Sequence, residues 1–127
     1  MPILGYRRIL KFWFPVLFYS GIIFYVSSLP SVTLPVGGPT DKIVHIIEYA
    51  ILGFLTARAI RGSSDSWSRR KIFLTAVVFS FAYGLSDEFH QMFVAGRTSS
   101  LADAFADGIG GWLGCFINLK NRLSHKK

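Results

Sequence analysis

The chain has 127 residues, 51% of them hydrophobic and 16% aromatic, with a positive mean hydropathy. A soluble domain of this length needs more polar surface than that. The net charge of +7 would suit nucleic acid, but the basic residues are interleaved with long apolar stretches, which a nucleic-acid surface does not require.

The first element is an apolar run over residues 12–29, eighteen residues without a charge and close to the ~20 needed to cross a bilayer. It predicts a helix over 11–29, with Pro15 near its start, where the missing N–H matters least. Arg7, Arg8 and Lys11 ahead of it suggest a cleaved signal peptide as the competing reading. Val26-Ser27-Ser28 is a poor cleavage site and the run is long for a signal, so a retained helix is preferred. Residues 30–40 form an uncharged loop around Pro-Val-Gly-Gly-Pro, a sharp helix stop. A second helix is expected over 41–60, apolar from 43 to 57 apart from His45 and Glu48, followed by a Ser-rich basic loop at 61–70. The third runs over 71–93 and ends at a Gly96-Arg97 turn. The fourth begins after Ser99 or Ser100 and ends near 119, followed by a basic tail. The one cysteine, Cys115, falls inside the last span as a packing residue, so there is no disulfide framework. The fold class is therefore all-α, an integral-membrane four-helix bundle forming a single domain over 1–127.

Charge orients the bundle. Twelve of the fourteen Lys and Arg residues fall at one end of the four segments, leaving Lys42 and Arg97 at the other. The positive-inside bias puts the basic end, with both termini, in the cytoplasm. Anionic lipid is favoured there by about 1 kcal/mol per basic residue. Six of the seven carboxylates, Asp41, Glu48, Asp87, Glu88, Asp103 and Asp107, then lie on the outer side with His45 and His90, leaving Asp65 cytoplasmic.

Helical periodicity aims these groups. Asp41, His45 and Glu48 are spaced i, i+4, i+7 on one face of the second helix. Tyr83, Asp87 and either His90 or Gln91 follow the same spacing on the third. Asp103 and Asp107 are one turn apart on the fourth, above Gly111. Glu48 and Asp107 lie roughly 10 Å from the outer helix ends at 1.5 Å per residue. An ionised group at that depth should face the bundle interior or a wet cavity. Two features resist a purely structural account. Asp103 and Asp107 repel at i, i+4, and Asp87 and Glu88 sit where the macrodipole of the third helix disfavours anions. Structural readings stand beside these: Asp41 as helix-start stabiliser, Ser100-x-x-Asp103 as a capping box, Arg97 as a solvated loop charge, and Gly110 with Gly114 as a close-packing pair. A salt-bridge network that merely holds the helices together is the alternative for the cluster as a whole.

Two motifs carry a resemblance. Asp41-Lys42-Ile43-Val44-His45 with Glu48-Tyr49 is one; the run from Ser86-Asp87-Glu88-Phe89-His90-Gln91-Met92-Phe93 through Gly96-Arg97 to Asp103 is the other, closed by Gly110 and Gly114. Over about 41–114 the chain resembles the VanZ-like family of small bacterial membrane proteins. It departs at Asp107, where the family often shows Asn. The resemblance implies a cell-envelope membrane protein, and the founding member is linked to resistance to the glycopeptide teicoplanin.

Three functions compete. The first is an outward-facing site that binds or acts on an envelope lipid or a lipid-linked, anionic head group. Its catalytic candidates are His45, Glu48, Asp87, Glu88 and Asp107, and its binding residues Asp41, Lys42, Tyr83, His90, Gln91, Arg97 and Asp103. Helices two and four point their N-termini at it, which favours an anion. A divalent cation is the one cofactor this donor set suggests, Mg²⁺, Ca²⁺ or Mn²⁺ for the oxygens and Zn²⁺ where imidazole joins. No H-E-x-x-H, C-x-x-C or nucleophile-elbow motif assigns a reaction. The second is a non-enzymatic interaction or resistance protein whose cluster is structural. The third, an ion-coupled transporter, ranks last because no polar path continues inward from the acids.

Overall fold

The computed structural model describes residues 2–30 and 39–124, and they form four α-helices: α1 (Pro2–Ser27), α2 (Pro39–Ser63), α3 (Arg69–Gln91) and α4 (Leu101–Ser124). The Pro/Gly-rich loop expected at 31–38 and the last residues of the basic tail lie outside the described residues. At 1.5 Å per residue each helix is about 35 Å long, enough for the ~30 Å hydrocarbon core of a bilayer. Three of them, α1, α2 and α3, are also apolar enough to cross a membrane. α4 has the length, but Asp103, Asp107 and Asn118 break its apolar character, and all three are buried. The protein is a helical membrane bundle, as the apolar runs led us to expect.

Some boundaries differ. α1 starts at Pro2 rather than near Lys11, carrying Arg7 and Arg8 on the helix. α3 ends at Gln91, two residues early. The chain then makes a reverse turn in which Arg97 N–H reaches the Val94 carbonyl at 3.2 Å, with Gly96 at φ 73°. That left-handed conformation suits glycine, which has no Cβ to clash.

α2 is the central helix. It packs most extensively on α4, then on α1 and α3; among the described residues α1 touches α3 lightly and does not reach α4. The α2–α4 contact is a backbone-to-backbone approach. A Cβ on Gly53 of α2 would stand 2.8 Å from the Gly111 Cα of α4, and one on Gly114 would stand 2.7 Å from the Ala50 carbonyl carbon. The Gly110/Gly114 pair read from the sequence thus lies in the tightest seam, where small residues let two helices touch. Cys115 is buried beside it, its thiol directed to the Gly53 carbonyl at 3.4 Å.

The interior is polar at one end and apolar at the other. Toward the basic end Ala57, Ile60, Ile72, Ala76, Cys115 and Leu119 form a buried cluster. The outer faces are oily: Leu17, Phe18, Val78, Phe89, Phe105 and Ile109 are all exposed. In water such a surface would be an aggregation hazard, whereas lipid is its natural solvent. The basic end is tied together by its own charges. Arg8 makes a bidentate pair with Asp65, at 2.5 and 2.8 Å, and also reaches the Gly62 carbonyl. Arg69 donates to the Leu119 carbonyl at 3.1 Å, and the Arg58 guanidinium stacks 4.9 Å from the Phe12 ring centroid.

Candidate functional site

At the opposite end, the predicted stripes of α2, α3 and α4 converge. Lys42 and His45, one turn apart on α2, face Asp103 and Asp107, one turn apart on α4. Lys42 forms an ion pair with Asp103, and His45 Nδ1 lies 2.6 Å from Asp107 Oδ1, with Asp107 fully buried. These two rungs answer the repulsion expected between the aspartates: each has its own partner on the neighbouring helix. His45 Nε2 looks toward Asp41, 3.9 Å away.

Room for Asp107 is made by α3. At Gly84 a Cβ would meet the Asp107 Cβ at 2.7 Å and its Oδ2 at 2.9 Å, so any larger residue would displace the carboxylate. Oδ2 itself has no hydrogen-bond partner among the described residues.

Glu88 resolves the second puzzle. It lies near the C-terminus of α3, but its Oε2 accepts from the Ser100 backbone N–H at 3.2 Å, at the start of α4. The positive end of the α4 dipole therefore faces it. Ser100 Oγ in turn accepts from the Asp103 N–H at 3.1 Å, the expected helix cap. The reciprocal arm of the capping box comes from Glu88 of α3 and not from the Asp103 side chain, which is left to pair with Lys42. Glu88 Oε1 is buried without a partner among the described residues.

A pocket of about 70 Å³ opens beside these groups, lined by Val26, Ser27, Asp41, Val44, His45, Glu48, Asp87, Gln91 and Arg97. It has room for a few waters or a small polar group. Asp87 is buried in its wall, with Gln91 Nε2 at 3.4 Å, while the buried Ser27 and Tyr49 hydroxyls have no hydrogen-bond partner among the described residues. Arg97 donates to the Leu29 carbonyl at 2.9 Å and to the Val26 carbonyl at 3.0 Å, capping the C-terminus of α1 while lining the pocket.

Of the twelve residues singled out in the sequence, seven reach this pocket or its immediate wall: Asp41, His45, Glu48, Asp87, Gln91 and Arg97 line it, and Asp107 backs His45. Lys42, Glu88 and Asp103 form the ring joining α2, α3 and α4. His90 and Tyr83 point elsewhere. His90 Nε2 pairs with Ser28 Oγ at 2.8 Å, and its ring stacks on Phe24 at 4.5 Å. Tyr83 OH donates to the Ser20 carbonyl at 2.5 Å. Both therefore fasten α1 to α3, and of the two spacing options on α3 it is Gln91 that continues the pocket stripe. Sequence reasoning missed Ser27, Gly84 and the first-helix wall. The only available signal was the Ser27-Ser28 pair at the end of an otherwise oily run.

Six carboxylates at this end face two permanent cations, Lys42 and Arg97, and both cations are already engaged. Two trios of donors could hold a cation: Asp41, His45 and Asp103, and His45, Glu88 and Asp107, each with its ligand atoms within 4.8 Å of one another.

No curated protein and no solved structure matches the chain. The model of the VanZ/LLP1 family matches residues 4–119, covering all the motifs described above and the helices that carry them. The chain is a helical membrane protein that belongs to the VanZ-like family.

Proposed function

We propose that this protein crosses the bacterial cytoplasmic membrane four times, basic end inward, and binds the polar head group of an envelope lipid in the pocket at its outer end. The observation that carries this reading is the His45–Asp107 pair at 2.6 Å, set behind a pocket lined by α2, α3, the end of α1 and the turn between α3 and α4. A carboxylate at Nδ1 fixes the imidazole orientation and leaves Nε2 on the other side of the ring. His45 and Glu48 are the pocket groups suited to exchanging a proton with a bound head group. The four-crossing topology draws support from the burial of the polar side chains of α4 against α2 and α3, which leaves Phe105, Ile109 and Trp112 outermost. Antibiotic resistance enters as an association of the family.

The test is native mass spectrometry of the protein extracted in mild detergent from cells. Wild type should retain a lipid adduct, and His45→Ala and Glu48→Gln should lose it while circular dichroism stays helical. Retention of the same adduct by both folded variants would overturn the reading. A structural role for the cluster is the second reading, favoured by the Lys42–Asp103 and Arg97 ties; under it the same variants would lose helical stability together with the adduct. Transport is disfavoured by the apolar cluster of Ala57, Ile60, Ile72, Ala76 and Leu119, which closes the interior below the acids.

A further inference from the structure

The pocket raises a charge problem for the proposed ligand. Its walls are acidic, and Lys42 and Arg97 are committed to Asp103 and to the α1 carbonyls. An anionic head group would meet repulsion unless a further positive charge stands nearby. Independently of any ligand, two buried carboxylate oxygens beside His45 have no partner among the described residues: Asp107 Oδ2, on a residue with no exposed surface, and Glu88 Oε1, on one only 5% exposed. Each carboxylate has a partner on its other oxygen, but a buried carboxylate oxygen left without one is unfavourable, and a bound cation relieves it.

The geometry points to a divalent metal site formed by His45 of α2, Glu88 of α3 and Asp107 of α4, whose ligand atoms lie within 4.8 Å of one another. One imidazole nitrogen with two carboxylates suits Zn²⁺ or Mn²⁺ better than Mg²⁺ or Ca²⁺, which prefer all-oxygen shells. The ion would replace the proton shared by His45 and Asp107. Each ligand is already held from behind: Glu88 by the Ser100 N–H, and Asp107 by the space at Gly84. The second trio, Asp41, His45 and Asp103, shares His45 and lines an acidic approach from the rim. Because His45 also belongs to the pocket wall, the ion would adjoin the bound head group and supply the missing positive charge. His45 then serves as a ligand, and Glu48 remains as the proton-exchanging group. The role of the ion in head-group binding rests on the reading above; the ion site does not.

The experiment uses the full chain in detergent, stripped with chelator and titrated with Zn²⁺ and with Mn²⁺, with Mg²⁺ as comparator. Elemental analysis should find about one Zn²⁺ or Mn²⁺ per chain. The electron paramagnetic resonance spectrum of the Mn²⁺ form should carry nitrogen coupling from one imidazole. Glu88→Gln and Asp107→Asn should each weaken binding at least about tenfold, and Asp65→Asn, at the far end, should bind as wild type. A helical wild-type protein that binds neither ion, or binds Mn²⁺ without nitrogen coupling, would overturn the proposal even if both ligand variants failed to fold. So would an affinity unchanged in either folded variant. Lipid adducts scored in the same samples separate the two ideas. An ion bound without an adduct leaves the metal site standing and removes the head-group reading; an adduct without an ion does the reverse.

Discussion

Lys42 illustrates how much depends on a single partner. Its side chain is 40% exposed, but the Asp103 it neutralises is 7% exposed. Lys42→Met should therefore destabilise the bundle by about 1–3 kcal/mol, because it leaves a buried carboxylate unpaired. Adding Asp103→Asn should recover part of that loss, as removing both partners is milder than removing one. Unfolding in mixed micelles of the two single variants and the double variant measures both effects. Asp65 is the opposite case, a fully exposed acid whose carboxyl is held below its ordinary 3.8 by the hydrogen bond and charge of Arg8. A depressed folded-state value means that the pair contributes stability above about pH 3.8 and loses it as pH falls through the lowered value. Carboxyl NMR should find the Asp65 midpoint below 3.8 in wild type and back near it in Arg8→Gln.

Between elements, the seam of α2 and α4 sets the position of everything else. Its closeness depends on Gly53, Gly110 and Gly114, where a Cβ would strike the backbone of the facing helix; at Gly111 it would strike Ser80 of α3 instead. Gly114→Val would drive a side chain into the Ala50 carbonyl and push α4 outward. The expected cost is about 1–3 kcal/mol from overpacking, and it could be larger because the neighbouring atoms are backbone. The same displacement would separate His45 from Asp107, two turns further along α4, so Gly114→Val should also weaken any ligand of the pocket despite touching none. Thermal unfolding and the lipid-adduct measurement, run on one preparation, check the pair of outcomes. α1 is attached differently, through Tyr83 to Ser20, Tyr19 to the Glu48 carbonyl at 2.9 Å, and Arg97 to Val26 and Leu29. It is a wall added to a three-helix centre.

For the molecule as a whole, the separation of charge along the bundle axis predicts its orientation. Among the described residues, Arg8, Arg58, Arg69, Arg70, Lys71 and Lys120 mark one end, and six acids with the pocket mark the other. In a Cys115→Ser background, a cysteine placed at Ala95, beside Gly96, should react with a membrane-impermeant maleimide on intact cells, and one at Ser66 should react only after lysis. The reverse pattern would invert the map and move the pocket to the cytoplasm.

The amino-acid sequence alone determined the class of solvent, the number of helices and the end to which the ionisable groups go. These follow from run length, charge bias and the 3.6-residue period, all of which are local. His45, Glu48, Asp87 and Asp107 were legible as inward-facing because an ionised group at their depth has no other place to go. Tertiary structure decided which stripe residue meets which. Asp103 could equally cap its own helix, and only the approach of Glu88 to Ser100 released it to Lys42. His90 and Gln91 were equivalent by spacing until the placement of α1 gave Ser28 and Phe24 to the histidine. Periodicity fixes direction about a helix axis but not the identity of the neighbour, which depends on how closely the helices pack. Here that distance was set by glycines whose effect appears only when two backbones meet.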